Sequence, residues 1–475
     1  MSWRIPRVVV LALYIAGFAA GCASYPERIG ALKDRLQKAP DDASIEYDIY
    51  PSDNGGNRLL ALQERGRMRQ LQGKVRESAD AYAEAIKFSD ALEDKALVSI
   101  GDTLDSTLAV AYGNDLALDY PVVGFERMML HVLDGLNRLA IGDMDGFGVD
   151  MRNLERCRGM IRTRLRRDME VLEKKYAQST EDLPTESKSY ASFMREVASL
   201  APGLKHSTDN VYALFLMGLY REMRGDMREA IAHYSEAEKI WPGNLAVARS
   251  IERCKNGHAD EECGDVIVIF EEGFVPAKRV KHTVFGSGNL FATLYMTLPN
   301  YATADCLPYE DGGELVLFEG GKYVSHTKIL CDIAPLAVKA HEERLKGIIM
   351  RKALMSSMTS GMIHINTLFN GAIHSNWIVE AVVLCGGFFT AVGADLMFAA
   401  SEQPDLRSWC TLPRQIQASR FSVKAGRHDF LLRSSNKSEN VSFDVSAGGR
   451  TVIYCTSSSG KMRCFTASLD GIMHQ

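Results

Sequence analysis

The chain has no basic excess, no low-complexity stretch and none of the spacings of the familiar catalytic and metal motifs. Its 475 residues carry 55 Lys and Arg against 60 Asp and Glu, a formal charge of −5. A nucleic-acid surface needs concentrated positive charge, so nucleic acid is not an expected partner. There is no Gly-x-Ser-x-Gly elbow, P-loop or dinucleotide fingerprint, and His341-Glu-Glu-Arg-Leu lacks the second histidine of a zinc protease. No Cys-x-x-Cys or paired Cys/His spacing occurs, so no metal is expected, nor any cofactor. The reading is non-enzymatic, with residues 261–475 the part where that is least constrained. Gly286-Ser-Gly288 and Glu310-Asp-Gly-Gly-Glu314 read as hairpin turns, not phosphate cradles.

What is present begins at the N-terminus. Arg4 and Arg7 precede an apolar run from Val8 to Ala20, the length of a signal-peptide core and short for a bilayer span. The run ends Ala19-Ala20-Gly21-Cys22, which resembles a lipobox, with Ala19 where leucine is usual. Cys22 is therefore the expected lipidation site. Ala23 follows it, not an inner-membrane retention aspartate, so the expected address is the periplasmic face of the outer membrane. Removing residues 1–21 subtracts two positive charges, from −5 to −7.

Nine further cysteines stand at 157, 254, 263, 306, 331, 385, 410, 455 and 464. Export permits disulfides, and an odd number leaves at least one unpaired. Cys455 and Cys464 flank a Ser/Gly turn and form the first candidate pair; Cys254 and Cys263 bracket a polar loop and form the second.

Residues 22–56, with Pro40-Asp41-Asp42 and Asp53-Asn54-Gly55-Gly56, read as a tether holding at most one short helix. From 57 to 260 the period is helical and repeats. Three segments carry glycines seven apart: Gly66 and Gly73, Gly135 and Gly142, Gly218 and Gly225. The second glycine is followed at fixed offsets by Ser78, Tyr82 and Ala85 in the first, by Phe147, Met151 and Leu154 in the second, and by Ala230, Tyr234, Ala237 and Pro242 in the third. That period is tetratricopeptide-like. Gly66, Gly218 and Ala230 are the expected close contacts, because helices approach where side chains are small. Gly73, Gly142 and Gly225 are the expected turns, where φ is positive. Tyr82 and Tyr234 are expected to fill the groove toward the next helix. The arginines at 152, 156, 158, 162, 164, 166 and 167 read as one face of a solvated helix offset by Asp168, Glu170 and Glu173, the other reading being a patch for lipid phosphates.

After His258 the period changes. Asp265-Val-Ile-Val-Ile-Phe270 is a buried-strand run, with further strands expected at 290–298, 314–318 and 322–326 and a helix from about Ala334 to Met358. The stretch Met362–Ala400 is apolar, and its uncharged run Ala381–Ala394 is short for a span, so it reads as a buried or surface-lying helix pair. From Arg414 onward, alternating strands at 421–430, 441–445 and 451–455 suggest half a sandwich. The expected fold is multidomain α+β: tetratricopeptide-like helical repeats over 57–260, an α/β body over 261–400 and a small C-terminal β-module over 401–475. Glu272 and Pro276 after the first strand, with Arg407, Trp409, Pro413 and Arg414 in the linker, form the best candidate ligand motif, since Trp and Arg combine stacking with bidentate hydrogen bonding. The competing role for them is a plug in the interdomain seam, with Arg407 capping a helix or paired with Glu272.

The first two repeat segments, Ile269-Phe-Glu-Glu-Gly-Phe-Val-Pro276, the helix carrying Arg351, and Asp405-Leu-Arg-Ser-Trp-Cys-Thr-Leu-Pro413 together resemble a family of uncharacterised tetratricopeptide-repeat lipoproteins of Gram-negative bacteria. The resemblance implies an architecture and an outer-membrane address but brings no catalytic residues. The expected function is a lipid-anchored periplasmic scaffold that holds an envelope protein partner in an assembly or export system, with membrane contact through the lipid. The alternative is a glycan- or peptidoglycan-binding lipoprotein that uses the C-terminal modules.

Overall fold

The computed structural model describes residues 24–42, 44–45, 56–98, 119–176, 187–257, 260–285, 294–306, 313–350, 352 and 404–469. Cys22, Cys385, Gly286-Ser-Gly288, Arg351 and the 381–394 run lie outside them.

The chain is mixed α+β, with helices leading and sheets toward the C-terminus. The element that organises it is β1, Cys263–Glu272, which explains its own sequence: an unbroken apolar run is what a strand needs when both of its faces are covered. Ile267 and Ile269 join the core shared with the helices, while Val266, Val268 and Phe270 join a second core on the opposite face. Three layers result: helices, a five-stranded sheet, and a four-stranded sheet.

Next come β2 (Arg279–Phe285) and β3 (Leu294–Asn300), which form a separate antiparallel ribbon. The remaining strands are β4 (Val316–Glu319), β5 (Lys322–His326), β6 (Lys328–Asp332), β7 (Gln415–Lys424), β8 (Gly426–Ser434), β9 (Lys437–Val445), β10 (Arg450–Thr456) and β11 (Arg463–Ser468). The five-stranded sheet runs β11-β10-β1-β7-β6, and the four-stranded sheet runs β5-β4-β8-β9. The boundary expected at 400/401 therefore does not separate two sheets. β1 lies between antiparallel β7 and parallel β10, so strands from both sides of that boundary share one sheet. The expected tail module is likewise split, because β7, β10 and β11 enter one sheet and β8 and β9 the other. The switch happens at Gly426, whose φ of +143° only glycine adopts freely, so consecutive strands turn a corner instead of pairing.

Cys455 and Cys464 face each other across β10 and β11 and are bonded, with Cα atoms 4.1 Å apart. Cys254 and Cys263 are not joined; both are free thiols. Cys254 sits on a helix beside Glu222, whereas Cys263 opens β1 and points its sulfur at Asp260, 3.4 Å away. Replacing Cys455 and Cys464 by Ser should cost about 2–3 kcal/mol, the loop-closure value for roughly ten residues. A denaturation midpoint in reducing and oxidising buffer checks this, and the variant should lose the redox dependence.

The helical layer is α1 (Tyr25–Lys38), α2 (Arg58–Leu71), α3 (Val75–Val98), α4 (Gly124–Ala140), α5 (Met144–Tyr176), α6 (Lys188–Ser199), α7 (Val211–Met223), α8 (Met227–Ile240) and α9 (Leu245–Asn256). Short α10 (Thr303–Cys306) and α11, residues 334–350, follow. The expected tether is only partly one. Tyr25, Ile29, Leu32 and Leu36 recur on one face of α1 and are buried in the main core.

Three hairpins, α2–α3, α4–α5 and α7–α8, share one turn. Gly73, Gly142 and Gly225 have φ of +80°, +78° and +77°. In each, the amide after the glycine bonds back to a carbonyl five residues earlier, from Lys74 to Arg69, Asp143 to Arg138 and Asp226 to Arg221. This is the Schellman closure that glycine at C′ permits. The tyrosines differ from expectation: the rings of Tyr82 and Tyr234 lie on Gly66 and Gly218 of their own hairpins, where any Cβ would collide with them. At Gly135 the covering atoms belong to Met151 and Phe147. Ala230 and Ala237 are fully buried.

Within α4–α5, Asp134 and Asp150 are buried side by side, and His131 Nδ1 stands 2.8 Å from Asp150. Burial pushes both carboxyls up to about 7. A folded-state value above the unfolded one means stability that is fully present below about pH 4 and is lost as the pH rises toward 7. Asp134→Asn should remove its own share of this slope, leaving that of Asp150, and gain on the order of 1–2 kcal/mol over the wild type at pH 8, with little difference at pH 4. Urea unfolding at the two pH values is the check, and parallel wild-type and variant curves would reject it.

Candidate functional site

The residues singled out in the linker converge on the seam between the helices and the five-stranded sheet. Arg407 is 4% exposed and Trp409 0%, so these side chains line no open surface. The Trp409 ring packs on Tyr82 with centroids 5.9 Å apart. Arg407 pairs with Asp405 at 2.8 Å, not with Glu272, and donates to Asn57 Oδ1 at 2.6 Å while lying over the Tyr120 ring. Asn57 is the N-cap residue of α2, so the linker is stitched to the start of the first hairpin. Glu272 and Pro413 are buried and Pro276 is half-buried. The Arg414 amide donates to the Glu272 carbonyl at 3.0 Å, which ties the linker to the end of β1.

Two carboxylates hold this segment by its main chain. Glu126 Oε1 accepts the Trp409 amide at 3.0 Å, and Glu64 Oε1 accepts the Cys410 amide at 2.8 Å. Glu64 also accepts the Tyr25 hydroxyl at 2.6 Å and the Thr411 hydroxyl, and Glu126 accepts the Tyr120 hydroxyl at 2.7 Å. Burial pushes both carboxyls above the usual range. It lowers Lys33 and Lys278 beside them and lifts the Cys410 thiol to about 11, far from a reactive thiolate. Lys278 donates to the Arg407 carbonyl at 2.8 Å. The chemistry is that of a peptide clamp: fixed acceptors on helices read the consecutive backbone amides of Trp409 and Cys410 where the linker enters a turn, and the clamped segment belongs to the same chain.

Two further networks lock the layers together. Glu271 of β1 takes Arg67 at 2.7 Å and the hydroxyls of Tyr212 and Tyr454 at 2.8 Å, with every partner buried. Arg420 of β7 bridges Glu222 at 2.7 Å and Asp265 at 2.5 Å; Arg450 adds to Glu222 and Arg253 to Asp265. Tyr234 donates to Glu222 at 3.0 Å within the α7–α8 hairpin, and Arg420 and Arg450 on that same carboxylate join the hairpin to the sheet. Sequence reading missed Glu64, Glu126, Glu222 and Arg420. The available signal was a charge inside an otherwise apolar helix or strand face, as in Phe215-Leu-Met-Gly-Leu-Tyr-Arg-Glu222.

The arginines of α5 divide. Arg158 and Arg162 bind Glu236 and Asp209, Arg164 meets Glu93, and Arg152 donates to Tyr220 at 2.6 Å, while Arg156, Arg166 and Arg167 are exposed. Among the described residues no cluster of His, Cys, Asp and Glu could hold a metal, and no helix is long and apolar enough to cross a membrane.

Comparison with protein-family models, with curated proteins and with solved structures gives no match.

Proposed function

We propose that the protein is a scaffold of tetratricopeptide-like hairpins, lipid-anchored through Cys22 at the periplasmic face of the outer membrane, which holds a protein partner of an envelope assembly or export system. The observation that carries this reading is the hairpin design recurring three times: the same glycine turn each time, and a large side chain seated on a buried glycine each time. The resemblance to lipoproteins of that repeat class and the lipobox-like Ala19-Ala20-Gly21-Cys22 support the address.

Two features refine the proposal. Three residues of chain reach at most about 10 Å, and Tyr25 is buried in the body, so an acyl chain on Cys22 holds the folded part against the bilayer with no long leash. The inner side of the helical layer is filled by the sheet and by residues 405–413, which leaves the partner the outer side. There α5 exposes Val149 and Met160 alongside Arg156, Arg166 and Arg167. Crosslinking and affinity purification of the full lipoprotein from its own envelope should recover a partner. Met160→Glu combined with Arg156→Glu should cut that recovery at least tenfold with the fold and membrane fraction unchanged; undiminished recovery sinks this placement. Cys22→Ser should release the protein from the membrane fraction and abolish acyl labelling.

A further inference from the structure

The outer face of the four-stranded sheet carries a shallow cavity of about 270 Å³ that the scaffold reading does not use. Its lining includes Phe318, Gly320, Gly321, Asp429, Asn440 and Ser442. Strand register arranges them. Asp429 stands opposite Ser442, and Leu431 stands opposite Asn440 across β8 and β9, while Phe318 faces Leu431 on one side and Tyr323 on the other. The inward residues of the same strands, Leu317, Phe430, Leu432 and Phe443, fill the core between the sheets, so this alternate set points to solvent. Tyr323 is 58% exposed, the most open of the large apolar side chains described. Gly320 and Gly321 turn between β4 and β5 at φ of +54° and +78° with open space where a Cβ would be, which keeps that end of the cavity unobstructed.

We propose that this face binds a glycan chain of acetamido-hexopyranose units. A pyranose presents a flat C–H face and a rim of hydroxyls. Phe318 in the cavity and its cross-strand partner Tyr323 beside it, whose ring packs on His326 with centroids 6.0 Å apart, supply rings for the C–H face, and Arg433 braces Phe318 from 5.7 Å. Asp429, Ser442 and Asn440 supply a carboxylate, a hydroxyl and an amide on neighbouring strands about 4.8 Å apart, with the Ser442 hydroxyl donating to Asp429 Oδ1 and leaving the second carboxylate oxygen and the Asn440 amide for hydroxyls on one sugar ring. The pairing of apolar Leu431 with the Asn440 amide gives an acetamido group a seat for its methyl and a partner for its amide. Among the described residues of β8 and β9 this face carries two guanidiniums, Arg427 and Arg433, against two carboxylates, Asp429 and Asp444, and this balance fits an uncharged polyol better than a phosphate or a nucleic acid.

The experiment is calorimetric titration of the full lipoprotein in detergent with N-acetylglucosamine hexamer and, separately, with maltohexaose. The hexamer should bind, and maltohexaose should bind at least fivefold more weakly. Tyr323→Ala and Asp429→Ala, both at exposed positions and both checked for an unchanged circular dichroism spectrum, should each weaken the hexamer at least tenfold. Absence of binding, equal affinity for the two glycans, or affinity unchanged in both variants overturns the assignment. Partner recovery from the envelope should be the same for Tyr323→Ala as for the wild type, which keeps this test separate from the scaffold reading.

Discussion

Arg420→Met should destabilise the protein by about 3–5 kcal/mol at neutral pH, read as an earlier urea midpoint with the first loss of structure at the contact of α7 and α9 with β7. The side chain is 2% exposed and bridges Glu222 and Asp265, which are 0% and 1% exposed. Methionine fills similar volume but leaves each carboxylate with one remaining arginine, Arg450 or Arg253, both at the edge of the network. Burial pushes the two carboxyls up, and Arg420 outweighs it: Glu222 lies below its usual range and Asp265 is held at about 2. For groups whose folded-state values are depressed, the stabilisation is present above the unfolded value and is lost as pH falls through the folded one. The gap between wild type and variant should therefore be full above about pH 4 and close toward pH 2. A gap that does not change with pH would mean that the loss is packing and not charge.

Trp409→Ala should cost a comparable 3–5 kcal/mol, the range for deleting a fully buried large aromatic. The position joins three elements: its ring rests on Tyr82 of α3, its amide is held by Glu126 of α4, and its neighbour Cys410 is held by Glu64 of α2. The main-chain bonds do not depend on the indole, so Trp409→Phe should recover more than half of the loss. Limited proteolysis gives an independent readout: the alanine variant should be cut within 404–414 under conditions where the wild type is intact, because a linker that no longer plugs its cavity opens at low cost. Equal protection in the two proteins would show that the clamp by Glu64 and Glu126 suffices.

The motif that looked most like a ligand site thus serves as an internal ligand. A Trp, two arginines and a proline in a polar linker read the same whether the groove they enter is offered to another molecule or closed by the chain itself, because composition reports the capacity to stack and hydrogen-bond but not who receives it. Burial decides between the two, and burial is a property of the whole arrangement.

Local chemistry explains how much was legible. The turns at Gly73, Gly142 and Gly225, the close approaches at Gly66 and Gly218, the apolar run of β1 and the bond between Cys455 and Cys464 follow from short-range constraints: a positive φ, a missing Cβ, a strand covered on both faces, a hairpin that brings two sulfurs opposite. Each is determined within a few tens of residues, so each can be read along the chain. The membership of the sheets could not be. Pairing of β1 with β10 joins residues nearly two hundred positions apart, and the corner at Gly426 that sends β8 into the other layer depends on what already occupies the edge. The buried charges belong to the same category. Glu222 looks like the polar end of an apolar helix, and only its meeting with Arg420 of β7 and Arg450 of β10 makes it the centre of the joint. A charge can be buried only where an opposite charge from elsewhere in the chain arrives to meet it.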